Sequence, residues 1–171
     1  MTTASDRPSV RVRAATANDG ETIVALIRGL ADFEKLRGPD DEAASRIVAA
    51  IAERRDHRGW LIAESEEKPV GYAMWVETYS TFRGRPKLFL EDIFVVPEAR
   101  GTGAGFALFA EVAREALRRD CGAMEWLVLD WNQLGMDFYH RLGGHADSFW
   151  VPFAMDREAI ERVASQRMEK G

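Results

Sequence analysis

The longest regular pattern of apolar and polar positions lies between residues 88 and 119. A nearly unbroken apolar run at 88–96 is followed by a glycine-rich turn, and apolar side chains then recur at helical spacing over 104–119. A continuous apolar run predicts a central strand that is covered on both faces. Pro97 ends it, because proline has no N–H to donate to a sheet. The pattern therefore predicts a strand, a turn and a helix in succession.

The rest of the chain alternates short strand patterns with amphipathic helices. The other strands are predicted where polar and apolar positions alternate or short apolar runs lie between turns, at 9–13, 60–64, 70–79, 123–131 and 145–155. The other helices are predicted at 18–35, 41–54, 133–142 and 156–169. Residues 80–87 are expected to form a polar, basic loop. The order β-α-α-β-β-β-α-β-α-β-α predicts an α/β fold with a mixed sheet and helices on both faces.

Composition limits the class of protein. A chain of 171 residues with 46% hydrophobic and 30% charged residues is typical of one soluble globular domain, predicted at 9–171 behind a flexible N-terminus at 1–8. No apolar run is long enough to cross a bilayer. The single cysteine, Cys121, suits a reducing compartment, so a cytoplasmic location is expected. The net charge of −5 argues against nucleic acid as a partner, and the histidines lack metal-ligand spacing, so no metal is expected.

The glycine-rich turn after the central strand is a candidate phosphate site. Glycines allow positive φ and close approach of a ligand, and the first N–H groups of the following helix have no partner inside it. Arg100 adds a cation. The turn, residues 100–106, lacks the Gly-Lys-Ser/Thr of a Walker A loop, and Phe106 stands where the dinucleotide fingerprint requires glycine. A plain strand-to-helix connection remains the alternative reading of this motif.

Two carboxylates interrupt the central strand. Glu91 and Asp92 are neighbours, so they are expected to face opposite sides of the sheet. A buried carboxylate is unfavourable unless it is paired or hydrogen-bonded. One of the two should therefore face a wet cavity, unless backbone N–H groups or an arginine satisfy both.

With Arg100-x-x-Gly103-x-Gly105 after an apolar strand, the chain resembles the GCN5-related N-acetyltransferases (GNAT superfamily), whose acyl-CoA signature is Gln/Arg-x-x-Gly-x-Gly/Ala. Over residues 10–164 it is similar to the diamine (spermidine/spermine) acetyltransferase subgroup and its thialysine-acetylating relatives. The segments that carry this similarity are Leu26-Ile27, Leu30-Ala31-Asp32-Phe33-Glu34-Lys35-Leu36, Phe89-Leu90-Glu91-Asp92, Trp131-Asn132 and Phe138-Tyr139-His140-Arg141-Leu142-Gly143.

The resemblance implies a GNAT fold, in which two parallel central strands splay apart where the cofactor enters. Here they would be the strands ending at Val96 and Trp131. It implies acetyl-CoA as co-substrate, with the pantetheine arm along the backbone of the central strand and Asn132 near that arm or capping the next helix. The residues implied for cofactor binding are Ile93, Phe94, Val95, Arg100, Gly101, Thr102, Gly103, Ala104, Gly105, Phe106, Asn132 and Tyr139.

The resemblance also assigns chemistry to individual side chains. Tyr139 would donate a proton to the departing thiolate, and Glu91 would help deprotonate the amine, in line with ordinary side-chain pKa values. Asp92, Phe33 and Glu34 would bind the acceptor. The residues themselves leave other readings open: a packed aromatic pair at Phe138-Tyr139 and carboxylates that are satisfied locally.

The resemblance implies a homodimer that transfers acetyl directly to the primary amine of a small cationic molecule in a ternary complex. The chain departs from the polyamine-acetylating members at Gly29, where they carry glutamate, which favours a thialysine-like amine over a long polycation. Arg83 and Arg85 in the basic loop would repel a polycation or bind a carboxylate or the CoA phosphates. A protein or peptide acetyltransferase and a non-catalytic acyl-CoA-binding module are the alternatives.

Overall fold

The structure is a computed structural model that describes residues 9–165. The predicted flexible N-terminus at 1–8 and the end of the predicted closing helix, 166–169, lie outside the described residues. The chain divides into two units, the first ending at Leu129 and the second beginning at Asp130. The single-domain assignment stays a prediction, and the two units are described separately.

The first unit is built on a five-stranded mixed sheet. Its strands are β1 (Val10–Ala14), β2 (Arg58–Ser65), β3 (Lys68–Ser80), β4 (Arg85–Val95) and β5 (Met124–Trp126). The sheet order follows the chain, β1-β2-β3-β4-β5, with antiparallel neighbours up to β4 and a parallel pair between β4 and β5. The predicted α/β class with a mixed sheet is confirmed.

Three helices belong to this unit: α1 (Gly20–Glu34), α2 (Asp41–Ala52) and α3 (Ala104–Arg118). The capping box before α1 is formed by Thr16 and Asp19, around a short 3-10 turn. α1 ends because Lys35 adopts a left-handed conformation, φ 58°. The Asp40 side chain caps α2 by accepting a hydrogen bond from the N–H of Ala43.

Apolar side chains cover both faces of the sheet. One buried cluster lies on the α3 face: Leu61, Ala63, Ala73, Trp75, Leu88, Leu90, Ala104, Leu108, Val112 and Ala116. The other lies on the α1–α2 face: Ala15, Ile23, Leu26, Ile51, Ile62, Tyr72 and Phe94. Full burial of one such large side chain is worth about 1.5–3 kcal/mol. The two clusters therefore fix β3 and β4 as the rigid centre of the unit.

A β-bulge interrupts β4 at Glu91. Met74 of β3 faces Asp92 and Trp75 faces Leu90, so Glu91 is the additional residue. One extra residue reverses the alternation of side chains beyond it. Leu88 and Leu90 consequently pack on the α3 face, whereas Phe94 packs on the α1–α2 face.

Pairing between β4 and β5 stops immediately before this bulge. It joins Leu88–Leu90 to Met124–Trp126 and goes no further. The predicted strand at 123–131 is thus too long: only 124–126 is a strand. A bulge increases local twist and can end a ladder, and β5 itself ends at Trp126, opposite Leu90. The two parallel strands splay apart, as the family resemblance implied.

The predicted basic loop at 80–87 is shorter than expected, because β3 reaches Ser80 and β4 begins at Arg85. Arg83 donates to the Gly122 carbonyl at 3.1 Å, and Arg85 binds the Asp120 carboxylate at 3.0 Å. Both lie at the start of β4, roughly 30 Å along the strand from the glycine-rich turn at a rise of about 3.3 Å per residue. The predicted roles of these arginines towards a polycation, a carboxylate or the CoA phosphates stay predictions.

The second unit contains α4 (Gln133–Arg141) and α5 (Arg157–Ser165). Asp156 caps α5, its side chain accepting a hydrogen bond from the N–H of Ala159 at 2.8 Å. The strand predicted at 145–155 is wrong: this segment has no regular secondary structure in the described chain. A strand needs a partner for its backbone hydrogen bonds, and the described part of this unit contains no other strand.

A largely buried ion pair ties β1 to the start of α1. Arg13 binds both oxygens of Asp19 at 2.8 Å and donates to Glu64 at 2.8 Å, and the N–H and hydroxyl of Thr16 also donate to Asp19. Asp19 is only 8% exposed. The hydrogen bonds from Arg13, followed by those from Thr16, hold the pKa of Asp19 well below its usual range despite burial.

We expect this pair to contribute to acid sensitivity. Because the pKa of Asp19 is depressed in the folded state, its contribution to stability is full above the unfolded value of about 4 and is lost as pH falls through the folded pKa. Asp19→Asn should lower the free energy of unfolding at neutral pH by about 1–3 kcal/mol and reduce its dependence on pH below about 4. Urea denaturation across pH measures both. The exposed Asp56→Asn is the control, and equal behaviour of the two variants would contradict the assignment.

Candidate functional site

The backbone of β4 is open on one side beyond the bulge. β3 occupies one edge over the whole strand, but β5 covers the other edge only at Leu88–Leu90 among the described residues. The N–H of Val96 bonds to Val70 in β3, so the preceding carbonyl, that of Val95, points to the open edge. Backbone groups alternate between edges along a strand. Ile93 and Val95 therefore present their N–H and C=O groups to the open edge, whereas those of Phe94 face β3.

The glycine-rich turn follows this open edge. Gly101 has φ 80° and Gly103, the N-cap of α3, has φ 97°, a region that strongly favours glycine. Thr102 donates its hydroxyl to the Ala99 carbonyl at 2.7 Å and so fixes the turn. A Cβ placed on Gly101 or Gly103 would meet no atom within 4 Å, which means that the space before the turn is open. The first N–H groups of α3 are thus available to an anion.

Arg100 connects this turn to the end of α1. Its Nε donates to the Val95 carbonyl at 3.3 Å, and its guanidinium lies over the Phe33 ring at 4.6 Å from the ring centroid. Arg100 is exposed. The structure thereby brings two residues predicted for different ligands, Arg100 and Phe33, into direct contact.

Three carboxylates lie close enough to influence one another near the open edge. Tyr72, fully buried, donates its hydroxyl to Asp92 at 3.0 Å. Burial raises the pKa of Asp92, and the hydrogen bond from Tyr72 offsets part of that shift. Partial desolvation, followed by the charge of Asp92, raises the pKa of Glu34 and of Glu91. A site with this much unneutralised negative charge suits a cationic ligand.

The Gly29 position is shaped by packing. A Cβ on Gly29 would lie 3.1 Å from Cε1 of Phe94, closer than ordinary van der Waals contact. The absent side chain lets α1 lie directly against the Phe94 ring. A glutamate at this position would need the ring to move by a few tenths of an ångström.

Asn132 and Tyr139 belong to the second unit. Asn132 caps α4, its Oδ1 accepting from the N–H of Gly135 at 3.0 Å, so its predicted capping role is confirmed. Tyr139 is half-buried on α4, and its ring centroid is 5.3 Å from that of Phe138. The proton-donor role of Tyr139 and the cofactor contact of Asn132 stay predictions.

Sequence reasoning missed Tyr72, which holds Asp92 in place. The signal was a tyrosine in an apolar strand, since a buried hydroxyl needs a partner. Within residues 9–165 no group of histidine, cysteine or acidic side chains is arranged to hold a metal ion. The described helices also include none with the length and apolar character to cross a membrane.

Comparison with known proteins identifies relatives along the chain. The model of the acetyltransferase (GNAT) family matches residues 23–144. The thialysine N-epsilon-acetyltransferase of Bos taurus is 34% identical over 168 residues, covering 92% of this chain and 98% of the relative. The spermidine/spermine N(1)-acetyltransferase-like protein 1 of Homo sapiens is 30% identical over 90% of this chain, which spans 24% of that protein.

Among solved structures, aminoglycoside N-acetyltransferase AAC(6')-Iy in complex with CoA has the same fold, with a TM-score of 0.74 at 23% identity over 91% of this chain and 99% of that one. The fold and these matches define an enzyme that transfers acyl groups. The chain belongs to the acetyltransferase (GNAT) family, and it is an N-acetyltransferase. The resemblance to thialysine and spermidine/spermine acetyltransferases is confirmed by these relatives.

The half-buried charge of Asp92 should lower stability. Its pKa is raised in the folded state, so ionisation at neutral pH favours unfolding, and this penalty fades as pH falls towards the usual aspartate pKa of about 4. We expect Asp92→Asn, which keeps the shape and an acceptor for Tyr72, to unfold at a higher temperature at neutral pH and to converge with the wild type in acid. Thermal unfolding across pH measures this.

The exposed Asp32→Asn change on α1 is the matched control, for which little change is expected. A lower melting temperature for Asp92→Asn at neutral pH would show that the carboxylate is well satisfied in the folded protein, and would contradict the expected penalty.

Proposed function

We propose that this enzyme transfers the acetyl group of acetyl-CoA to the primary amine of a small cationic molecule. The observation that supports the proposal most is the open edge of β4. It lies between a turn suited to phosphate and a group of carboxylates suited to an ammonium ion. A donor and an acceptor bound at the two ends of this edge would meet there, which favours direct transfer in a ternary complex.

The cofactor would bind from the turn to the open edge. Its pyrophosphate would accept hydrogen bonds from the N–H groups of residues 101–106, with Arg100 beside it. Its pantetheine amides would pair with the outward-facing groups of Ile93 and Val95, in the manner of an added strand. Phe94 would contribute through packing, because its backbone groups face β3. Asn132 is proposed to contact the same arm.

The acceptor amine must lose a proton before it can attack. Asp92 and Glu34 would hold the ammonium form, and Glu91 would take its proton, directly or through water. A raised pKa makes Glu91 a stronger base than an ordinary glutamate. The neutral amine nitrogen then bonds to the thioester carbon and loses its second proton to solvent, and the carbon–sulfur bond breaks to give the amide. Tyr139 is proposed to give its proton to the departing sulfur and to regain one from solvent.

The acceptor is proposed to be a thialysine-like amine and not a long polycation. The relative from Bos taurus carries thialysine in its name. In addition, Gly29 supplies no carboxylate, and a Cβ at this position would crowd the Phe94 ring. Removing one anionic contact weakens the binding of a polycation more than the binding of a monoamine, because a polycation depends on several such contacts.

An amine panel tests the proposal. Purified enzyme with acetyl-CoA is assayed for release of free thiol with thialysine, lysine, ornithine, spermidine and a lysine-containing peptide. We expect turnover with the small amino-acid amines and a markedly lower kcat/KM for spermidine. Preference for spermidine would refute the inference from Gly29, and preference for the peptide would identify a protein acetyltransferase.

Tyr139→Phe serves as the discriminating variant in this assay. Loss of a general acid is expected to lower kcat by about 10²–10⁴, with CoA binding by calorimetry unchanged. Unchanged turnover would remove Tyr139 from the mechanism. Binding of CoA without turnover of any amine by the wild type would instead indicate a non-catalytic acyl-CoA-binding module.

We further propose that the protein is cytoplasmic and that it forms a homodimer. The support for the homodimer is an exposed apolar segment of the second unit, in which Phe149 is 93%, Trp150 74%, Val151 74% and Phe153 95% exposed. Soluble monomers rarely expose such a run of apolar side chains.

Light scattering after size exclusion should give twice the chain mass for the wild type, and the double variant Phe149→Ser with Phe153→Ser should give the mass of the monomer. The same substitution at Phe82, exposed on the hairpin after β3, is the control. A monomeric wild type would refute the proposal.

A further inference from the structure

Tyr72 places one polar atom inside the apolar cluster on the α1–α2 face of the sheet. Its side chain is fully buried, and its neighbours in the cluster include Ile23 and Phe94. Because Tyr72 is paired with Phe94 in the β3–β4 ladder, it lies diagonally from Asp92, two residues earlier on β4. A tyrosine is long enough to span this diagonal, and its hydroxyl donates to Oδ2 of Asp92 at 3.0 Å.

Packing alone does not require the hydroxyl of Tyr72. A phenylalanine would place the same ring in the same space, whereas a buried hydroxyl is unfavourable unless it is hydrogen-bonded. Burial, followed by the charge of Asp92, raises the pKa of Tyr72 well above its usual value, so the group stays protonated at neutral pH. Its one hydrogen is therefore always available to Asp92.

Asp92 receives no compensating positive charge from the protein. Within residues 9–165 it forms no ion pair, and the hydrogen bond from Tyr72 is the one that its carboxylate accepts. Its acidic neighbours, Glu34 on α1 and Glu91 on β4, add further negative charge. Carboxylates inside proteins are normally paired with a cation. An unpaired one beside two others indicates that the cation comes from a ligand.

The two oxygens of the Asp92 carboxylate differ in their surroundings. Oδ2 accepts from Tyr72, whereas Oδ1 has no hydrogen-bond partner in the described structure. The described side-chain atoms that lack a partner and are sealed from solvent belong to Arg58 and Trp60, and not to Asp92. Oδ1 is therefore accessible to solvent, and so to an ammonium group, which is of similar size.

We propose that Tyr72 is a positioning residue for the acceptor, because its hydrogen bond to Oδ2 of Asp92 presents Oδ1 to the substrate ammonium. The last torsion of an aspartate is otherwise broad. The Tyr72 ring is held by close packing, so the bond fixes the plane of the carboxylate. This inference rests on the proposed transfer to an amine and extends it: Tyr72 is buried and itself touches neither substrate.

Steady-state kinetics of Tyr72→Phe test the inference with the panel amine that the wild type acetylates best. The change removes one oxygen and keeps the ring. We expect the KM for the amine to rise about tenfold or more, as for loss of a hydrogen bond to a charged group. The kcat and the KM for acetyl-CoA should change by less than about twofold. Tyr79→Phe is the matched control, because Tyr79 lies on the same strand with its side chain 61% exposed.

The pH dependence separates positioning from a general structural defect. Burial raises the pKa of Asp92, and the hydrogen bond from Tyr72 lowers it. Loss of that bond should raise the pKa further and move the acid limb of kcat/KM for the amine upwards by about one pH unit. Glu34 and Glu91 titrate in the same group and are unaltered in the variant. An unmoved limb, or an amine KM equal to that of Tyr79→Phe, would overturn the proposal.

A double-mutant cycle with Asp92→Ala determines whether Tyr72 acts through Asp92. Once the carboxylate is removed, Tyr72→Phe should change the KM for the amine by less than about twofold, because the two residues act as one unit. Fully additive effects of the two substitutions would contradict the inference. Circular dichroism of each variant checks folding.

Calorimetric titration of lysine onto the full chain saturated with CoA repeats the comparison without turnover. We expect binding to Tyr72→Phe to be about tenfold weaker than binding to Tyr79→Phe. Should the wild type acetylate no amine of the panel, the proposed function fails, and this titration still decides the role of Tyr72. Equal binding to the two variants, or no binding of lysine to the wild type, would refute that role.

Discussion

The single additional residue at Glu91 in the ladder between β3 and β4 determines the architecture of the proposed acyl-transfer site. The pairing with β5 ends immediately before it, so no described strand pairs with Ile93 and Val95 on that edge, where the Val95 carbonyl accepts a hydrogen bond from Arg100. It also reverses the faces of the residues that follow, so that Asp92 meets Tyr72 on the α1–α2 face. Without the bulge, alternation would direct Asp92 to the α3 face beside Leu88 and Leu90, where the cluster is wholly apolar. One backbone irregularity thus creates both the open edge and the carboxylate position.

The electrostatics of the site oppose the stability of the fold. Burial raises the pKa of Asp92, and partial desolvation, followed by the charge of Asp92, raises the pKa of Glu34 and Glu91. Such a group would be unfavourable in a core with no function, since a neutral side chain could take its place. A transferase acting on an amine needs this arrangement, because an ammonium ion must be attracted and then deprotonated. The apolar clusters on both faces of β3 and β4 hold the carboxylates together against their repulsion.

The sequence predicted the parts of the fold that depend on local periodicity. The helical spacing after Gly103 and the apolar run through β4 predicted α3 and its turn almost to the residue. The bulge could not be predicted, because β4 is apolar on both faces and carries no alternation from which a change of register could be read. The false strand at 145–155 has a related cause: its apolar residues suit a strand, but a strand also requires a ladder partner, and a single segment contains no information about one.

The position of Arg100 raises the question of whether a residue already engaged with protein groups can also hold a phosphate. The guanidinium has five N–H donors in one plane. The hydrogen bond to Val95 uses Nε, and the contact with Phe33 uses the face of the plane and none of its donors. One of the four N–H groups on the terminal nitrogens runs parallel to Nε–H, and the other three lie on the remaining edges of the plane, so these three can bind a phosphate while both existing contacts persist. The contacts of Arg100 with Val95 and Phe33 therefore fix the direction in which its terminal N–H groups point. A preoriented arginine loses less side-chain entropy on binding, and its contacts with protein groups support its proposed role on the turn.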